Sequence, residues 1–140
     1  MKNETEKNQQ NELKPVSVFV DENGKKWVRV RTLDLDFKID LHDYKEGDKA
    51  RFTWHELMER AKEGKIRMID MKKAKAIYLY IDEVNATLKE AGGEELKGWY
   101  WTEIESQYHS NNAWVFNGTY GCLYHTGKLY TYGCRSLACE

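Results

Sequence analysis

Apolar residues recur at every second position in several runs between Val16 and Leu41. Val16, Val18 and Val20 keep that period, Asn23-Gly24 supplies a pair that tolerates positive φ in a tight turn, and Trp27, Val28 and Val30 follow. This pattern predicts a β-hairpin whose Arg29 and Arg31 lie on a solvated strand face. Leu33, Leu35, Phe37, Ile39 and Leu41 then alternate with Asp34, Asp36, Lys38, Asp40 and His42, predicting a strand with one face buried and the other wet. The aspartate row is read as water-facing rather than as a cation site, and Lys45-Glu46-Gly47-Asp48 as the turn that follows.

The period lengthens after residue 52. Thr53 can cap a helix, Glu56 can return the bond three residues on, and Phe52 can staple against Leu57. Trp54, Leu57, Met58 and Ala61 share one face, and Gly64 suits a left-handed exit. A second helix is predicted from near Asp70 to Gly92-Gly93, with Ala74, Ile77, Tyr78, Ile81, Leu88 and Ala91 at helical spacing. Its Lys72, Lys73 and Lys75 read as a solvated face.

From Trp99 the helical period vanishes. Short aromatic segments are separated by Gly98, Asn117-Gly118, Gly121, Gly127 and Gly133, which predicts several short strands and loops. Two hairpins, around Gly118 and around Thr126-Gly127, are expected to put aromatic and small polar side chains on one broad face. The segment from Trp99 to Glu140 holds six of the nine tyrosines and only five charged residues, so it is too polar and too poorly charged for an ordinary core segment. Tyr108, His109, Ser110, Tyr120, Leu123, Tyr124, His125, Tyr130 and Tyr132 have the composition of a paratope, in which aromatic rings supply rigid area and small polar groups adapt their hydrogen bonds.

At 140 residues the chain supports one core. Residues 1–14 (MKNETEKNQQNELK) have almost nothing to bury and read as a flexible tail, leaving a single domain over 15–140. The net charge of -1 argues against nucleic acid as a partner. No stretch is apolar enough for membrane insertion and no secretory h-region precedes the domain, so synthesis in a cytosol is expected. Cys122, Cys134 and Cys139 read as free thiols. No histidine pair or cysteine spacing suits zinc, and no nucleophile or phosphate-loop motif is present, so no metal, no cofactor and no catalytic residue is assigned.

The order of a hairpin, helices, a turn ending Gly-Gly-x-x-Leu-x-Gly, Trp99-Tyr100-Trp101-Thr102, Asn112-Ala113-Trp114, Asn117-Gly118, Lys128 and Arg135 carries a resemblance. It resembles the bacterial C-type-lectin-like domains, and within them the variable proteins of diversity-generating retroelements. The resemblance implies an α+β C-type-lectin-like fold with two helices, short antiparallel strands and a loop-rich C-terminal half. It also implies a fixed scaffold of Trp101, Asn112, Ala113, Trp114, Gly118, Lys128 and Arg135 around a ligand-binding region at about 99–135. A reverse transcriptase rewrites adenines in such regions, leaving codons that end in a pyrimidine and cannot encode Glu, Lys, Gln, Met or Trp. From Ser106 to Cys134 only Gln107, Trp114 and Lys128 belong to that set, against thirty-five of residues 1–98, which fits the variable reading.

The implied function is recognition of a protein ligand on another cell or particle, without catalysis, with display on a virion or through a partner. The calcium motifs of sugar-binding lectins are missing. The alternatives are an invariant lectin-like adhesive or structural module, and a relative of the formylglycine-generating oxidases, whose paired cysteines have the separation of Cys134 and Cys139.

Overall fold

A computed structural model of the chain describes residues 14–139, so the tail expected over 1–14 lies outside the described residues apart from Lys14. The first three strands, β1 (Val16–Val20), β2 (Lys26–Arg31) and β3 (Asp36–Asp40), form an antiparallel sheet in that order. The β1–β2 turn forms because the Asp21 carboxylate accepts from the Asn23 and Lys25 backbone N–H groups and from the Trp27 indole, while Gly24 takes φ +81°. Val28, Val30, Phe37 and Ile39 fill the buried face.

The alternating run over Leu33–Leu41 is only partly a strand. Thr32 N–H donates to Leu35 O and its Oγ accepts from Asp34 and Leu35, so residues 32–35 turn between β2 and β3 and Leu33 is fully exposed. The wet face is not bare either. Arg29 holds Asp36 through two bonds of 2.8 and 2.6 Å, and Lys25 holds Asp40 at 3.1 Å.

Helix α1 (Trp54–Lys62) begins with the capping box read from the sequence: Thr53 Oγ accepts from Glu56 N–H, and the Glu56 carboxylate accepts from Thr53 N–H. The second predicted helix is two. Helix α2 (Met71–Leu79), capped by Asp70, and helix α3 (Ile81–Glu90) meet at Tyr80, whose φ of −115° and ψ of 28° leave the helical region. The apolar period runs through the break, since Ala74, Ile77, Val84 and Leu88 are all fully buried, and Asp82 and Glu83 favour a fresh N-terminus there. Three helices therefore occur among the described residues, not two.

The last strands, β4 (Trp99–Glu105), β5 (Asn112–Asn117) and β6 (Leu123–Gly127), form a second antiparallel sheet, again in sequence order. The architecture is α+β: three helices with two three-stranded sheets among the described residues. One core joins the first sheet, α2 and α3 to Tyr100 and Phe116. The other joins Phe52, Trp54 and Leu57 to Trp101, Ala113 and Val115. Neighbouring positions on β4 and β5 enter different cores, so the second sheet has a core against each face.

The C-terminal segment ties the parts together. It bridges Phe52 through Tyr132, Tyr100 through Gly133 and Ile39 through Leu137, and Cys134 O accepts from Tyr44 N–H. Thr126 and Gly127 end β6 rather than forming a hairpin tip. The turn falls at 128–130, with Tyr130 N–H on Gly127 O, and the chain then leaves β6 for Phe52 and β4.

Candidate functional site

The unbroken β5–β6 ladder sets Phe116 opposite Leu123, Trp114 opposite His125 and Asn112 opposite Gly127. Alternation in a strand puts these three pairs on one side of the sheet. Phe116 and Leu123 belong to the larger core, whereas Trp114 and His125 belong to neither core and are half-buried. The same sheet face thus passes from covered to open along β5.

Four rings lie close to His125, although Tyr124, its strand neighbour opposite Val115, departs toward Trp99, 6.4 Å away, rather than onto the open part. Trp114 lies 5.2 Å from the imidazole between centroids, Tyr124 5.7 Å, Tyr108 6.0 Å and His109 6.1 Å, the last stacked at 21°. Asn112 Nδ2 reaches His125 Nδ1 at 3.3 Å, which orients the imidazole. Tyr108 and His109 come from the β4–β5 loop. Ser106 Oγ accepts from the backbone N–H groups of both, and Asn112 N–H closes the loop on His109 O, so backbone bonds hold the two rings over the strand.

Beside this cluster lies a groove of about 790 Å³, lined by Ser110, Asn111, Asn112, Lys128, Leu129 and Tyr130, with His55 of α1 at its edge. Leu129 and Tyr130 are exposed. A second cleft, about 460 Å³ between Trp27, Tyr44 and Leu137, carries both amines and carboxylates and contains no residue of the binding set.

The nine paratope-like residues are not all together. Tyr108, His109, Tyr124 and His125 share the ring cluster, and Ser110 and Tyr130 line the groove. Tyr120 sits at the opposite end of the β5–β6 hairpin, where Asn117 Oδ1 accepts from Thr119 and Tyr120 N–H and Gly121 lies against Tyr78. Leu123 packs against the larger core, and the Tyr132 ring meets Trp101 edge-on at 5.1 Å.

The expected scaffold residues are mostly interior. Trp101 is buried and its indole donates to Phe52 O at 2.9 Å. Ala113 is fully buried, and a Cβ on Gly118 would meet Leu96 Cβ at 2.6 Å, so these two positions are small by necessity. Arg135 is buried and donates to Asp43 Oδ1, Asp40 O and Glu94 O at 2.9–3.0 Å. The Lys128 ammonium lies 4.4 Å from the centre of the Trp54 ring and 3.4 Å from Glu105 Oε1. Trp54 is itself pinned by its indole bond to Thr102 O. Asn112 and Trp114 are only half-buried, and both touch His125.

Asn111, Leu129 and His55 line the groove without having been singled out from the sequence. Asn111 and Leu129 adjoin expected scaffold residues, which is the one signal they carry; nothing local marks His55.

The shifted titrations belong to structural groups. Burial first, and then the hydrogen bond to Glu46, push the Tyr44 phenol up to about 12, and burial pushes Tyr100 up to about 12. Glu46 is held down at about 2, first by the Arg60 bonds of 2.9 and 3.1 Å and then by the Tyr44 hydroxyl. Burial also raises the Cys134 thiol to about 12, the reverse of an activated thiolate, while Cys122 and Cys139 are exposed and all three cysteines are free. Among the described residues no group of three or more His, Cys, Asp or Glu could hold a metal ion, and no helix is long and apolar enough to cross a membrane. No protein-family model matches the chain, and no curated protein matches it at a significant level.

Proposed function

We propose that the protein recognises a macromolecular ligand, most directly a protein, through the ring cluster around His125 and the groove beside it. It is a C-type-lectin-like variable protein of a diversity-generating retroelement, and performs no catalysis. The observation that carries the reading is the open aromatic patch on the second sheet: Tyr108, His109 and Tyr124 are exposed around the half-buried Trp114–His125 pair, on a strand whose Ala113 and Val115 are interior. Rigid rings with two torsions each give contact area at low entropic cost, the requirement for a surface that changes partner without refolding.

Residue types support the same reading. Tyr, His and Ser at 108–110 and 124–125 all have codons ending in a pyrimidine, whereas Trp114 and Lys128, which do not, are half-buried and buried. Gln107 is the exposed exception. The deciding experiment is to sequence the DNA flanking the gene. A reverse transcriptase together with a near-copy of the segment encoding about residues 99–135, differing chiefly at adenines, is the expected result. Their absence would return the chain to an invariant lectin-like adhesive or structural module.

A further inference from the structure

We infer that the groove beside the ring cluster takes a carboxylate, and that the partner presents it as an Asp or Glu side chain on an exposed peptide segment, with Lys128 Nζ as the anchoring donor. This rests on the recognition reading above and names the chemistry of its fixed contact.

Every polar side chain lining the groove can donate a hydrogen bond, through the Lys128 ammonium, the Asn111 and Asn112 amides, the His55 imidazole and the Ser110 and Tyr130 hydroxyls, and none is a carboxylate. Lys128 is nine-tenths buried, so its charge is poorly screened, and its aliphatic stem cannot swing away. Its ion-pair partner, Glu105 Oε1, is 3.4 Å away, longer than the 2.7–2.9 Å of a charge-assisted bond, and the Glu105 side chain is 57 % exposed. The other recorded neighbour of the ammonium, the Trp54 ring at 4.4 Å, faces it as a cation–π contact and Glu105 takes one donor, so of the three donors at least one remains for a second carboxylate that approaches from the groove or displaces Glu105.

The single fixed positive charge also selects among anions. A phosphate carries about −1.5 to −2 and is usually met by several cations, whereas one ammonium ringed by amide and hydroxyl donors matches one carboxylate. Asn112 joins the two halves of the surface, lining the groove while its side chain contacts His125. An acidic residue seated on Lys128 would therefore bring its flanking residues against the rings. Because Lys128 is interior while the rings are exposed, this contact stays constant as the exposed side chains change.

The test titrates the full chain with the blocked peptide Ac-Gly-Asp-Glu-Gly-NH2 and with Ac-Gly-Asn-Gln-Gly-NH2, following the Lys128 Nζ and the Asn111 and Asn112 side-chain amide signals by NMR. Saturable shifts at all three with the acidic peptide alone are expected. Glu105→Gln removes the competing carboxylate at an exposed position and should tighten the acidic peptide roughly threefold or more. Equal responses to the two peptides, shifts that bypass Lys128, or a Glu105→Gln protein that binds no tighter would each overturn the inference. Inorganic phosphate binding at Lys128 more tightly than the acidic peptide would also overturn it. The flanking-DNA result is independent of this titration, so a groove that binds carboxylate in a protein without a neighbouring template repeat removes only the variable reading.

Discussion

Trp114 and His125 face each other across the β5–β6 ladder with ring centroids 5.2 Å apart, so the indole packs directly against the imidazole at the centre of the ring cluster. Trp114→Ala should cost about 1–3 kcal/mol, because it removes a half-buried ring from a cross-strand pair, and should disperse the His125 proton signals. His125→Ala should cost under about 1 kcal/mol, since its ring neighbours other than half-buried Trp114 are exposed and none belongs to a buried core. Urea unfolding of the two variants measures the asymmetry, and equal costs would mean the cluster is a third core rather than a surface.

Tyr120, Tyr124 and Tyr130 are 75, 60 and 63 % exposed. Replacing all three by alanine should leave the melting temperature within about 2–4 °C of the parent. A larger fall would show that these rings support the fold, and would remove the tyrosine part of the binding surface.

Arg135 satisfies Asp43 and the three backbone carbonyls of Asp40, Glu94 and Glu95 from a site with no solvent exposure of its side chain. Arg135→Met should destabilise by about 3 kcal/mol, near the low end for a broken buried pair because Asp43 is 28 % exposed and can regain water. Arg135→Lys should recover little, since an ammonium cannot span the Asp43, Asp40 and Glu94 acceptors. Chemical denaturation of both variants checks the ordering.

Glu46 has a folded value of about 2 against an ordinary 4.5, set mainly by its bonds to Arg60. A depressed carboxylate contributes stability above its unfolded value and loses it as the pH falls through the folded one. The parent should therefore lose melting temperature between about pH 4.5 and pH 2 more steeply than Glu46→Gln, which is less stable at neutral pH and flatter below it. The difference should be small, because the pair sits at the surface. Parallel melting curves in acid would show the pair to be inert.

Cys122 and Cys139 are exposed and Cys134 is buried with its thiol held protonated. Iodoacetamide on the native protein should modify the first two and reach Cys134 only after unfolding. Mass spectrometry of the labelled peptides gives the answer, and native labelling of Cys134 would show that the C-terminal segment opens.

Local rules made much of the fold legible. The β1–β2 hairpin, the Thr53–Glu56 capping box and the Gly64 exit all depend on residues within a few positions of one another, and they stand where the sequence placed them. The break at Tyr80 was hidden because it shifts one residue's backbone without disturbing the apolar phase and carries no Gly or Pro. Leu33 was misread for a related reason: a period of two does not distinguish a strand residue from a turn residue that happens to be apolar.

The sequence by itself determined the class of elements, the aromatic, charge-poor character of the last third, and which residue types were large and interior-seeking. Only the tertiary structure decided which of those aromatics meet. Tyr108, His109, Tyr124 and His125 converge, while Tyr120 goes to the far end of the hairpin, because the β5–β6 register and the Ser106-pinned loop bring the β4–β5 loop and β6 to the same end of the second sheet. It also decided that the groove includes His55, which reaches Lys128 and Tyr130 across more than seventy residues of chain through the packing of α1 on the second sheet. Side-chain chemistry is written along the chain, but the sharing of one surface depends on long-range register, which no local pattern carries.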